Sequence, residues 1–255
     1  MLGTIIGDIA GSAYEFANYR AKDFQPFFHQ KARFTDDTVC TIAIADALLT
    51  GRDPAATLRD WCQRYYDNGG WGQRFALWIG DDDMGPYKSL GNGGAMRVSP
   101  AGLLAESVDE AITLANHVTA ITHNHPEGMR GAAATAVAIH LAKTGNSSSD
   151  IRHAIGERFG YDLSMTVDQI RPNYRHSERA AESVPQALIC ALEATDFEDA
   201  IRNAISIGGD SDTIAAIAGG VAEARFGIDG GIAGLAWGYL PQDMRGVLTA
   251  LYETK

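Results

Sequence analysis

Two short stretches place carboxylates and hydroxyls where apolar helical segments begin: FTDDT, Phe34 to Thr38, and GGDSDT, Gly208 to Thr213. One Asp, Ser or Thr at such a point is an ordinary N-cap, accepting from the free amides of the first turn. Asp36 beside Asp37, and Asp210 close to Asp212, exceed that need. A second nearby carboxylate adds repulsion unless a cation or a proton offsets it. If folding brings the two stretches together, Thr35, Asp36, Asp37, Asp210, Asp212 and Thr213 offer hard oxygen ligands. Such donors suit Mg²⁺, Mn²⁺ or Ca²⁺ and suit zinc poorly. The competing reading is two unrelated capped helices, with Ser211 or its acidic neighbours capping the second.

Other residues could act on a substrate held nearby. Glu15 follows a Gly-Ser pair at the end of an apolar segment, where a glutamate is either a surface or ion-paired residue or a functional acid. Asp83 adjoins a Gly-Pro turn, whereas Asp81 and Asp82 read as a solvated acidic turn. GNGGAMRVSP, Gly91 to Pro100, carries glycines whose amides can approach a phosphate, although a plain loop uses glycine too. It matches neither the dinucleotide fingerprint nor the P-loop. His123 and His125 occupy a turn between helices and read first as polar turn residues; the lack of nearby Cys or further His disfavours metal binding, and substrate hydrogen bonding is the better functional option.

The elements that must position these groups read as helices. Leu2 to Ala13 is apolar with Gly3, Gly7 and Gly11 on one face, a spacing that predicts close helix packing. The segment after FTDDT, Pro54 to Tyr66, Val108 to Ile121, a helix starting near Pro126 and continuing through Gly131 to Lys143, and Ile151 to Phe159 show helical spacing. So do Ala180 to Glu193, Phe197 to Ser206 with Thr195 or Asp196 as its cap, and the segment of Ile214, Ile217, Ala218 and Val221. The stretch from Asn68 to Met96 reads as a functional loop region, and Tyr161 to Arg179 has little periodicity. No series of alternating strands appears, so an all-α bundle around two capped central helices is expected.

The whole chain bounds the function. Its 255 residues, 45% hydrophobic and without a long linker, are expected to form one domain, 1–255. A net charge of −11 opposes nonspecific attraction to nucleic acid and to anionic membranes. Asp8 interrupts the apolar N-terminal run before a signal-peptide core forms, and no run is long enough for a membrane span. Cys40, Cys62 and Cys190 sit in apolar helical patterns without zinc spacing, as in a reduced cytoplasmic protein.

Taken together, GDIAGSAYEF, FTDDT, GNGGAMR, THNHPEG and GGDSDTIAAIAGGVAEARFG, in this order, resemble the ADP-ribosylglycohydrolase family. The resemblance implies a compact orthogonal all-α bundle with a central binuclear site, where Thr35, Asp36, Asp37, Asp210, Asp212 and Thr213 hold two Mg²⁺ or Mn²⁺ ions. It implies hydrolysis of the bond between ADP-ribose and an acceptor, the partner being an ADP-ribosylated protein (arginine- or serine-linked) or a small conjugate such as O-acetyl-ADP-ribose. Glu15 aligns with the catalytic glutamate of the serine-specific branch. Asp83 lies where the arginine-specific and nitrogenase-reactivating branches place a functional aspartate. Asn92 and Gly93 match the diphosphate loop of relatives and His123 a histidine near the substrate. A two-metal phosphohydrolase and a noncatalytic ADP-ribose-binding protein are the alternatives.

Overall fold

The computed structural model describes residues 1–254. Helices α1 (Leu2–Gly11), α2 (Asp36–Thr50), α3 (Pro54–Arg64) and α4 (Gln73–Gly80) precede two short ones, α5 (Gly93–Met96) and α6 (Ser99–Leu104). Then come α7 (Val108–Thr119), α8 (Pro126–Lys143), α9 (Ser148–Phe159), α10 (Val167–Ile170) and α11 (Ala180–Glu193). The chain closes with α12 (Phe197–Ser206), α13 (Ser211–Phe226), α14 (Gly230–Tyr239) and α15 (Gln242–Glu253). Among the described residues there is no strand, only an isolated antiparallel bridge between Gly91 and Arg179. The all-α expectation therefore holds. No helix among them is long and apolar enough to cross a membrane.

The centre is the pair α1 and α13. Every residue of α1 is buried, as is α13 from Ser211 to Ala222. Helices covered on all sides need no polar face, which is why their sequences show a general apolar character and not a stripe. The glycine spacing of α1 does what it predicts. A Cβ placed on Gly7 would lie 2.0 Å from the Ala215 carbonyl oxygen, and one on Gly3 would lie 2.3 Å from that of Gly219. The two backbones touch, and no side chain fits between them. At the end away from the acidic motifs, Glu223 of α13 accepts from the Met1 amino group at 2.6 Å and the Gly3 N–H at 2.7 Å.

Around this pair one hydrophobic cluster runs from Met1 to Leu251, with α2, α8, α11 and α12 packed against the centre. Cys40, Cys62 and Cys190 are free and buried. Three local expectations are corrected. Within the stretch read as a loop region, Phe75, Trp78 and Ile79 form the buried face of α4. Spacings of three and four residues are enough for a two-turn amphipathic helix, and the surrounding glycines obscured it. Val167–Ile170 forms α10, started by a capping box of Thr166 and Gln169. Ser211 does not cap α13: its hydroxyl donates to the Gly11 carbonyl at 3.0 Å, tying α13 to α1.

Candidate metal centre and substrate cavity

FTDDT and GGDSDT meet. Gly208 and Gly209, at φ 72° and 77°, make the left-handed turn that ends α12 and points α13 inward. Asp210 is the N-cap position of α13 but makes no side-chain cap. Its Oδ2 instead accepts from Asn92 Nδ2 at 2.7 Å. Across the gap, Thr213 Oγ1 donates to Asp37 Oδ2 at 3.3 Å, so the start of α13 faces the start of α2.

Asp8, on α1, completes the centre. Its carboxylate accepts from the Thr35 N–H (2.9 Å), the Thr35 hydroxyl (2.6 Å), the Thr38 N–H (3.1 Å) and the Thr38 hydroxyl. This is the N-cap of α2, supplied by another helix, and it leaves Asp36 and Asp37 free of that task. The signal for Asp8 was a single charge inside a wholly apolar helix. An unpaired carboxylate is seldom placed there without a partner.

Oxygen atoms of Asp8, Asp37 and Asp212 lie within 4.8 Å of one another, and so do those of Glu15, Asp210 and Asp212. The two groups share Asp212. Asp36 borders the same cavity, with its Oδ1 accepting from the Gly70 N–H at 2.8 Å. None of these carboxylates forms an ion pair with Lys, Arg or His among the described residues. Asp37 Oδ1 is buried without any hydrogen-bond partner.

The electrostatics follow. Burial, reinforced by the neighbouring acids, pushes Asp37 and Asp212 well above the usual carboxylate range. Burial likewise lifts Asp8 to about 6 against the hydrogen bonds from Thr35 and Thr38. Glu15 rises to about 7, first from burial and then from the charges of Asp210 and Asp36. Clustered oxygens, an orphaned buried lone-pair site and the lack of a paired basic side chain among the described residues fit hard divalent ions.

A cavity of about 510 Å³ opens over this cluster. Gly91, Asn92, Gly93 and His123 also line it. His123 is buried, and burial together with Arg97 holds its imidazole well below the usual range, hence neutral. Thr122 Oγ1 links the two, accepting from Arg97 Nη2 at 2.6 Å and lying 2.8 Å from His123 Nδ1. A Cβ on Gly93 would come within 2.9 Å of His123 Nε2. The Asn92 N–H donates to the Glu178 carbonyl at 2.7 Å and its side chain to Asp210, so both are engaged within the protein. His125 caps α8, accepting from the Glu127 N–H at 3.1 Å.

Asp83 is placed elsewhere. It is exposed in the turn after α4, with its N–H donating to Asp81 Oδ1 at 3.0 Å, and it does not border the cavity. Asp81 and Asp82 are exposed as well. Arg97 and His176, which do border it, carried no signal of their own: Arg97 ends the GNGGAMR motif, whose signal lay in its glycines, and His176 sits in an aperiodic loop, so each acquires a role only through its neighbours.

The family model of ADP-ribosylglycohydrolase matches residues 1–253. The human ADP-ribosylhydrolase ARH3 is 31% identical over 188 residues, 55% of this chain and 51% of that one. The matched region thus spans about half the length of that relative. ADP-ribosylarginine hydrolase Tri1 of Pseudomonas putida is 25% identical over 267 residues, covering 90% of this chain and 70% of Tri1. A solved structure titled ADP-ribosylglycohydrolase-related protein complex superposes with a TM-score of 0.73 at 25% identity, covering 99% of this chain and 95% of that one. With its two acidic helix starts joined at one cavity and the family model matched over residues 1–253, the chain belongs to the ADP-ribosylglycohydrolase family.

Proposed function

We propose that this chain, acting as one domain, is a metal-dependent ADP-ribosyl hydrolase that cleaves the glycosidic bond between ADP-ribose and its acceptor. The observation that carries the reading is the uncompensated carboxylate cluster, Asp8, Asp37, Asp210 and Asp212 with Glu15, at one side of a cavity large enough for a nucleotide-sized ligand. The names of the human and Pseudomonas relatives point the same way. Thr35, Asp36, Asp37, Asp210, Asp212 and Thr213 would hold two Mg²⁺ or Mn²⁺ ions, whose positive charge would neutralise the acids and fix ribose hydroxyls.

Glu15 is the proposed general base. It stands at the rim of the cluster, half-buried, and its raised carboxyl suits proton transfer near neutral pH. It would take the proton from the water attacking the anomeric carbon. Neutral His123 orients the substrate as a hydrogen-bonding group without adding charge. Asn92 acts chiefly by steering Asp210 through its side-chain amide. Gly93 keeps the wall thin beside His123.

The test is to incubate the protein with arginine-linked and serine-linked ADP-ribosyl peptides and with O-acetyl-ADP-ribose, in Mg²⁺, Mn²⁺ or chelator, and to weigh the products. Free ADP-ribose formed only with metal is the expected result. Release of phosphate with the glycosidic bond intact would assign a phosphohydrolase instead. Binding of ADP-ribose without turnover of any conjugate would leave a noncatalytic binder.

A further inference from the structure

A second cavity, of about 680 Å³, adjoins the first and shares two residues with it, Glu15 and His176. Asp36, Asp37, Asp210 and Asp212 border only the first. On the proposed function, ADP-ribose fills the metal side, its anomeric carbon lies beside Glu15, and the acceptor must leave past Glu15. The second cavity is on that path.

Its charge is opposite to that of the molecule. Arg20, Arg175 and His176 line it, and Glu15 at the junction is the one acid among its lining residues. Arg20 donates to the Ile207 carbonyl and Asn18 Oδ1, each at 3.1 Å, and to the carbonyls of Arg171 and Tyr174. All four acceptors are neutral, so its charge is not cancelled by a carboxylate. The same bonds join three chain segments and fix the walls of the groove. Arg175 is exposed and has no ion pair among the described residues. His176 lies 3.9 Å from the Glu178 carboxylate, and it also acts electrostatically on Glu15 and Asp210. Phe16 is 85% exposed at the rim, offering an apolar contact to whatever lies there.

We propose that the groove of Phe16, Arg20, Arg175 and His176 receives the peptide chain around the modified residue and favours acceptors flanked by acidic side chains. A protein with a net charge of −11 would otherwise favour basic peptides, so the preference must come from this local reversal. The inference rests on the hydrolase reading and names the acceptor class of the same site.

The experiment uses two ADP-ribosylated peptides with the same linkage, one flanked by Asp and Glu and one by Lys, with a peptide-free ADP-ribosyl amino acid as reference. The acidic peptide should have a kcat/KM about tenfold above the basic one, and this ratio should collapse in ~0.5 M salt. Arg175→Ala should bring the two peptides within about twofold of each other, and Arg175→Glu should invert their order. The ratio is internal to each preparation, so partial misfolding of a variant does not change it. Equal rates for the two peptides, or a ratio that survives both substitutions, overturns the groove while cleavage of the reference keeps the hydrolase reading intact. If no conjugate, the reference included, is cleaved, both fall together.

Discussion

Glu15 and Asp8 show how differently two acids in one cluster can serve. Glu15 is reachable from the cavity, and burial with the neighbouring acids outweighs His176 in lifting its carboxyl, so it suits proton transfer. Glu15→Gln should keep the fold and metal binding and lower kcat by about 10² to 10⁴, the usual contribution of a general base. Product formation under saturating substrate checks this, and an unchanged rate would remove Glu15 from the role. Asp8 is fully buried and holds the first turn of α2 through Thr35 and Thr38. It sets where Asp36 and Asp37 point. Asp8→Asn leaves one carbonyl oxygen for donors that now share a carboxylate, and Mg²⁺ affinity should fall by roughly 10 to 100-fold, as for other groups that orient metal ligands. Calorimetric titration with Mg²⁺ measures it; an affinity equal to that of the parent would remove Asp8 from the positioning role.

At the scale of elements, the site depends on how closely α1 approaches α13. Gly7 makes the approach possible one residue before Asp8, and its missing side chain lets the acid face Asp212. Gly7→Ala puts a Cβ where the Ala215 carbonyl already lies, with no flexible side-chain end to move aside. The helices must separate, at a cost of about 1–3 kcal/mol or more from overpacking. For a chain of this length each kcal/mol lowers Tm by roughly 2–4 °C, and metal affinity should fall with it. Gly234→Ala in α14 is the contrasting case, because nothing lies within 4 Å of its Cβ position. There the better helix propensity of alanine should leave Tm unchanged or raise it. Equal losses at the two positions, read by thermal melts, would sink the contact argument.

For the whole molecule, the acids store repulsion that a cation relieves, and the metal-free protein should show it as a pH dependence. Asp8, at about 6, and Glu15, at about 7, together with Asp37 and Asp212, hold protons in the folded state that the unfolded chain has already released. Raised acids contribute stability that is present below their unfolded values near 4 and is lost as pH rises through the folded ones. In chelator, Tm should therefore fall between about pH 4.5 and 7.5. Glu223 and Asp199, held low by the Met1 amino group and by Lys22, act oppositely and lose their stabilisation in stronger acid. Mg²⁺ at 100 times the dissociation constant it has at pH 7.5 should add about 2.7 kcal/mol there, and the same concentration should raise Tm less at pH 5, where protons compete for the acids. Melts at both pH values decide it, and a metal-free Tm that climbs through this range would contradict the cluster. The sequence by itself determined the helical class, the glycine-mediated closeness of α1 to a partner, and the surplus of acids at two helix starts, because periodicity, missing side chains and local charge are properties of neighbours along the chain. It did not reveal α4, whose two short turns lie among glycines, nor Asp8 as the cap of α2, nor the separation of Asp83 from the cavity. Only the tertiary structure decided those, together with the place of His176 between two cavities, because each depends on which distant backbone segments come into contact once the core is packed.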